Sequence, residues 1–293
     1  MTFNSNDNEL QNDILQAQLD DIFRDVLETP TNTIWTPQNA TDFDPEHWRE
    51  PVVDMEEFVL SSEYLNCQTV YPKVMDILWE LDKPEIREAY LALGKGSGKS
   101  YISSIMKARM IYKLLCLKNP QLFFGKAEGS QLLTLNLSVS RDQARDVIFG
   151  SFLNMVKASK WFEGKFKERT HSVEFPNNIF AFSGHSKSTS WLGYNTILGI
   201  LDEASWHLDN NERSVADELY STLIGSCKTR FPWAYKIIVI SSVREYDDFL
   251  LSKIDYVKEK GKHLEVGEDR PHRFQILQNN RTRGQAESQF RGF

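Results

Sequence analysis

Eight consecutive residues, Leu93-Gly94-Lys95-Gly96-Ser97-Gly98-Lys99-Ser100, carry the groups needed to hold a polyphosphate. Gly94, Gly96 and Gly98 let the backbone curl closely around an anion and point successive N–H groups inward. Ser97 sits between them. Lys99 has the reach and charge for β- and γ-phosphate oxygens, and the Ser100 hydroxyl is a hard oxygen donor suited to magnesium. The general pattern has a glycine six residues before the lysine; here that position is Leu93. A glycine-rich match means little without its context, which is a strand before it and a helix after it. Residues 87–93 (REAYLAL) read as a short buried strand, and 100 to about 118 as a helix whose positive end adds to the same anion site.

A phosphate loop needs an acid to hold the metal and a base to orient water. Both follow the apolar run at 197–201. Asp202 is the candidate magnesium partner, acting through water, and Glu203 the candidate base. The separation of 103 positions from Lys99 to Asp202 leaves room for intervening elements, so the two strands can be neighbours in a sheet without being neighbours in sequence. A further apolar run, 237–240, ends in Ser241-Ser242. A sensor of the γ-phosphate and an ordinary strand-to-loop transition both produce that pattern.

The elements that must position these groups alternate. Helix is expected at 69–82 after Pro72, strand at 131–138, helix at 141–158 and a hairpin over 172–182 around Asn177-Asn178. Strand follows at 196–201, helix at 212–227 and strand at 236–241. Short apolar strands separated by helices indicate an α/β fold with a mostly parallel central sheet flanked by helices.

Together these pieces resemble the ATPase domain of the large terminase subunit, the motor that packages DNA into tailed-phage and herpesvirus capsids. Many members read GGRGSGKS where this chain has LGKGSGKS at 93–100. The stretches 133–149 and 180–203 look like that family's strand and helix after the loop and its approach to the metal-binding strand. Ser241-Ser242 matches its coupling motif, and the resemblance spans roughly residues 64–245. It implies a P-loop NTPase of the additional-strand, catalytic-glutamate (ASCE) type. Its Walker A residues would be Gly94 to Ser100, with Lys99 and Ser100 on phosphate and magnesium. Asp202 would hold the metal in Walker B, and Glu203 would be catalytic. Gln68, 31 residues before Lys99, falls where the family often has an adenine-reading glutamine; a surface glutamine reads the same. Lys95 falls where the family often has a charge-stabilising arginine, and lysine lacks the bidentate fork. Arg141, Arg145, Arg213, Arg230 and Arg244 are alternative fingers.

The resemblance further implies ATP and Mg2+ as ligands and sequence-independent binding of double-stranded DNA. The implied protein partners are a portal protein, a small terminase subunit, and a nuclease domain or partner chain. Self-association into a ring on the portal and residence in the bacterial host cytoplasm also follow. Asp247-Asp248 and Asp255 lie too close behind the coupling strand to build a nuclease and read as solvated loop acids, so no nuclease activity is expected of this chain. Two other readings stay open. One is a helicase-like DNA-dependent ATPase, since DEAS at 202–205 resembles the DEAD/DEAH box. The other is a nucleotide-dependent assembly module without turnover.

Charge divides the chain further. Net charge is −7 over 293 residues, yet residues 1–62 hold 14 acidic and two basic side chains, a balance of −12, leaving +5 elsewhere. An acidic arm (1–62), irregular over 29–51 and with a short amphipathic helix at 15–26, is therefore expected ahead of an ATPase core (63–250) and a C-terminal extension (251–293). Mixed basic and aromatic stretches at 157–169 and 228–236 read either as DNA-backbone contacts or as solvated faces. Cys67, Cys116 and Cys227 are scattered and read as free thiols of a reducing compartment. No apolar run approaches the roughly 18–20 residues of a membrane helix, so no membrane partner is expected.

Overall fold

The computed structural model describes residues 44–94, 96–138, 148–170, 172–185, 191, 193–206, 215–242, 249–263 and 273–279. Lys95, Arg141, Arg145, Arg213, Arg244, Asp247-Asp248, the expected helix at 15–26 and the start of the one expected at 141–158 lie outside these residues.

Apolar runs too short to be helices and flanked by turns become buried strands here. Strand β1 (Ile86–Leu93) leads into the glycine turn and helix α3 (Lys99–Cys116). Upstream lie α1 (Met55–Leu60) and α2 (Pro72–Asp82), the latter started by Pro72, whose missing N–H is harmless in a first turn. Downstream come the short α4 (Pro120–Phe123), β2 (Leu132–Ser138) and α5 (Gly150–Ala158). A two-residue β3 (Lys167–Glu168) precedes the hairpin of β4 (Ser172–Phe175) and β5 (Ile179–His185). Asn177 and Asn178 turn that hairpin with φ of 59° and 50°, the left-handed conformations asparagine tolerates best. The chain finishes with β6 (Asn195–Asp202), α6 (Ala216–Arg230), β7 (Lys236–Ser241), α7 (Phe249–His263) and β8 (Arg273–Asn279).

The sheet runs β3-β4-β5-β2-β6-β7-β1-β8. From β5 to β8 every pairing is parallel; the β3-β4-β5 edge is antiparallel. This is the expected α/β P-loop fold. One expectation needs correcting: the strands bearing the loop and the Asp-Glu pair are not neighbours. β7 lies between them, pairing Tyr90 with Val239 on one side and Asp202 with Ile240 on the other. The serines at the end of β7 are thereby set between Lys99 and Glu203.

Two outer segments join the body. Residues 44–62, read in sequence with the acidic arm, place Trp48, Val52, Met55, Phe58 and Val59 in the same core as the sheet. Trp48 also forms an isolated bridge to Leu117. On the other side, the segment read as an extension supplies α7, with Leu250 and Ile254 buried, and β8, which pairs along β1. Asp255 is exposed on α7 rather than in a loop. Among the described residues no helix is long and apolar enough to cross a membrane.

Helix α3 carries three buried cations. Asp82 at the end of α2 receives Arg109 at 3.0 Å and Lys113 at 2.6 Å. Burial opposes the Asp82 charge, but the two cations outweigh it and hold its carboxyl well below the usual range. Lys107 donates to Asn136 Oδ1 and the Phe182 carbonyl at 2.5 and 2.6 Å and lies against the faces of Phe149 and Phe152. Removing the shared carboxylate strands two buried cations, so Asp82→Ala is expected to cost about 3–5 kcal/mol in chemical denaturation. A loss below about 1 kcal/mol would show that the triad does not fasten α3.

Candidate functional site

Three strand ends meet at one edge of the sheet, the carboxyl edge where open α/β sheets hold their ligands. At β1, Leu93 is a buried strand residue, and the turn begins one position later at Gly94. Ser97 closes it: its N–H and hydroxyl both reach the Gly94 carbonyl, the hydroxyl at 2.6 Å. Gly96 and Gly98 have φ of 79° and 88°, conformations that side chains rarely adopt. Gly98 caps α3 and its carbonyl accepts from the Ile102 N–H. Placing Leu93 where a first glycine is usual thus leaves intact the two glycines that the turn geometry needs.

Lys99 Nζ lies 3.1 Å from Glu203 Oε1 and 3.4 Å from the Leu93 carbonyl. The loop and the Asp-Glu pair, far apart in sequence, are therefore in direct contact. Glu203 has φ of 49°, left-handed for a non-glycine residue, a conformation costing on the order of 1 kcal/mol. Its other oxygen, Oε2, receives the Ser242 hydroxyl at 3.3 Å, the Ser241 hydroxyl at 3.4 Å and the Ser242 N–H at 3.5 Å.

Asp202 is buried at the last position of β6. The Ser138 hydroxyl, at the end of the adjacent β2, donates to its Oδ2 at 3.4 Å. Burial, with the negative charge of Glu203, lifts its pKa to about 6, although Lys99 pulls the other way. The Ser100 hydroxyl and the Asp202 carboxylate are hard oxygen donors that fit Mg2+, and a buried carboxylate carrying its charge at a cost is the group a cation would relieve.

Gln68 is exposed, its amide donating to the Leu60 carbonyl at 3.2 Å and to Asn66 Oδ1 at 2.5 Å. Its neighbour Cys67 interacts with Tyr101, one residue past Ser100, and Val74 sits 3.6 Å from where a Cβ on Gly98 would lie. The segment 67–74 therefore flanks the loop.

Sequence reasoning overlooked Ser138 and the turn after Glu203. In that turn, Ala204–Trp206, the Ser205 N–H donates to Ser241 Oγ at 3.3 Å and the Trp206 indole N–H to Ser242 Oγ at 3.4 Å. A strand end does not disclose its neighbour, so neither contact had a local signal.

The rings of the two basic stretches are largely taken into the core, while Lys157, Lys160, Lys167, Arg169 and Lys228 stay exposed. Lys157 pairs with Glu168 at 2.6 Å, Arg169 with Glu174 at 2.7 Å, and Lys165 stacks 3.6 Å above the Trp161 ring. Trp161 and Phe162 are core residues. In the second stretch Phe231 and Tyr235 are buried and Arg230 holds Ser226. Lys236 donates to the carbonyls of Leu81, Lys83 and Ile86. Cys116 and Cys227 are buried and Cys67 is half-buried; all three are free thiols.

The model of the family described as "Uncharacterized protein MJ0330, N-terminal P-loop domain" matches residues 17–276. The uncharacterized protein MJ0330 of Methanocaldococcus jannaschii is 23% identical over 191 residues, covering 61% of this chain and 33% of its own. The crystal structure of the HK97 bacteriophage large terminase aligns at a TM-score of 0.50 and 17% identity, over 75% of this chain and 42% of that one. The large terminase from a thermophilic bacteriophage aligns at a TM-score of 0.47 and 11% identity, over 72% and 46%. The chain thus spans about a third of the curated relative and less than half of either terminase chain. The HK97 likeness is one of fold.

The raised Asp202 pKa predicts a pH dependence of the empty protein. An unfolded Asp loses its proton near 3.8, whereas the folded carboxyl keeps it up to about 6. The fold therefore binds the extra proton between these values, and its stability falls as pH rises through them. The charged form costs about 3 kcal/mol at most. Asp202→Asn is expected to be the more stable protein by about 1–3 kcal/mol in urea titrations at about pH 8, with the gap closing by about pH 4. A gap that is the same at both pH values would contradict the assignment.

Proposed function

We propose that this chain, which belongs to the family of the MJ0330 N-terminal P-loop domain, is an ATP hydrolase whose turnover drives movement along double-stranded DNA. The observation that carries the hydrolase reading is the 3.1 Å contact between Lys99 and Glu203, which joins a phosphate-binding turn to a carboxylate. In this reading the N–H groups around Gly96, Ser97 and Gly98 and the Lys99 ammonium hold the triphosphate, and Gln68 reads the adenine edge. Ser100 and Asp202 hold Mg2+, which supplies charge neutralisation on the phosphates when bound. Phosphate draws Lys99 away from Glu203 and frees Oε1 to orient a water and take its proton as that water attacks the γ-phosphorus and ADP departs. Ser241 and Ser242 read the state of that carboxylate.

The DNA part of the proposal draws on the resemblance of 93–100, 180–203 and 241–242 to terminase motors, with the HK97 enzyme supporting the fold. Portal, small subunit and ring assembly belong to the same proposal, as does Lys95 or an arginine acting on the transferring charge. A second reading, which needs no DNA track, is a nucleotide-dependent assembly module; the pairing of Lys157 with Glu168 and of Arg169 with Glu174 is compatible with it.

Measuring nucleotide binding and ATP turnover, with and without linear duplex DNA at low salt, separates them. Lys99→Ala is expected to weaken binding at least about tenfold. Glu203→Gln is expected to bind within a few-fold of the parent while losing about 100-fold or more in turnover. Binding without turnover under every condition would leave the module; turnover indifferent to DNA would remove the translocation claim.

A further inference from the structure

The hydroxyls of Ser241 and Ser242 converge on Glu203, and something must decide which way their protons point. Each hydroxyl has one proton to give and lone pairs to receive. An indole N–H and a backbone N–H can only donate. Trp206 Nε1 donates to Ser242 Oγ, so the Ser242 proton is turned toward Glu203 Oε2 at 3.3 Å. Likewise the Ser205 N–H donates to Ser241 Oγ, leaving its proton for Glu203 Oε2 at 3.4 Å or the Ser242 carbonyl at 3.0 Å.

Resting on the hydrolase reading above, we propose that Trp206 is a positioning residue for Glu203. It acts through Ser242, in parallel with the Ser205 N–H acting through Ser241. The need for such a device follows from the backbone. Glu203 is left-handed at φ 49°, and its Oε1 is tied to Lys99. Once phosphate claims Lys99, the cluster on Oε2 is what, among the described residues, keeps the carboxylate aimed. Two donors fixed in direction supply that aim without adding a positive charge that would compete with the proton transfer. Residues 203–206 thus form one device: the turn that displaces the backbone after Glu203 returns two N–H groups to the residues that hold it, and Trp206 remains 45% exposed while doing so.

The test compares Trp206→Phe, which keeps a ring and loses the N–H, with Ser242→Ala and the double variant. Each single change is expected to lower kcat about tenfold, the worth of one lost directed hydrogen bond, with KM for ATP and nucleotide affinity within about twofold. Because both act on one chain of contacts, the double variant is expected to fall no further than the worse single one. A readout on the empty protein stands apart from turnover: the emission of Trp206, taken as parent minus Trp206→Phe, should shift when Ser242 becomes Ala. Unchanged kcat in Trp206→Phe, losses that multiply in the double variant, or an indole emission indifferent to Ser242 would each overturn the proposal. A parent protein with no turnover would sink the hydrolase reading, and the emission comparison would then decide the Trp206 contact by itself.

Discussion

The pair between Lys99 and Glu203 exists only because three parallel strands end at the same level. The lysine lies past the end of β1, the glutamate past β6, and β7 between them ends in the two serines that complete the carboxylate's shell. A slip of one residue in either pairing would turn Asp202 or Ser241 to the other face of the sheet. The near-continuous burial of β1, β6 and β7 opposes such slips, because both faces are covered and every side chain has a packed place. Chemistry at the edge thus depends on apolar packing well inside it.

Helix α3 is the other fixed part. It presents its N-terminus to the loop and is held along its length by charges that cannot reach water. The Asp82 triad fastens its outer half and Lys107 its middle. Burial pulls Lys113 down to about 8, yet its carboxylate partner keeps the ammonium form favoured at neutral pH. The buried ion pairs and hydrogen bonds tie the helix to the end of α2 and, through Lys107, to β2 and β5.

Much of this was legible from residue types alone. The glycines at 96 and 98 announced a turn of positive φ, Pro72 announced a helix start, and Asn177-Asn178 announced a hairpin, because each is a local demand on the backbone. Strand order is not local, and so β7 came between strands that sequence could only say were compatible. The same limit hid Ser138, whose hydroxyl meets Asp202 across a pairing, and Trp206, whose partner lies 36 residues on. The aromatic residues at 161–162 invited a nucleic-acid reading for a related reason. Alternating charge and ring describes a binding face and a core edge equally well, and here the rings of Trp161 and Phe162 go to the core while Lys157 and Arg169 stay at the surface beside Glu168 and Glu174. The core role of 48–60 was masked by acidic composition, which measures the solvent face of a segment and not its inner one.

The register of β8 has a mechanical meaning. It runs parallel to β1 from Ile86 beside Arg273 to Leu93 beside Asn279, so it ends level with the last residue before the phosphate turn. Tension applied to β8 along its own axis would be shared by the whole ladder. It loads the rungs of that ladder collectively, in shear, instead of peeling them one after another. Such a load would reach the strand that carries the loop itself.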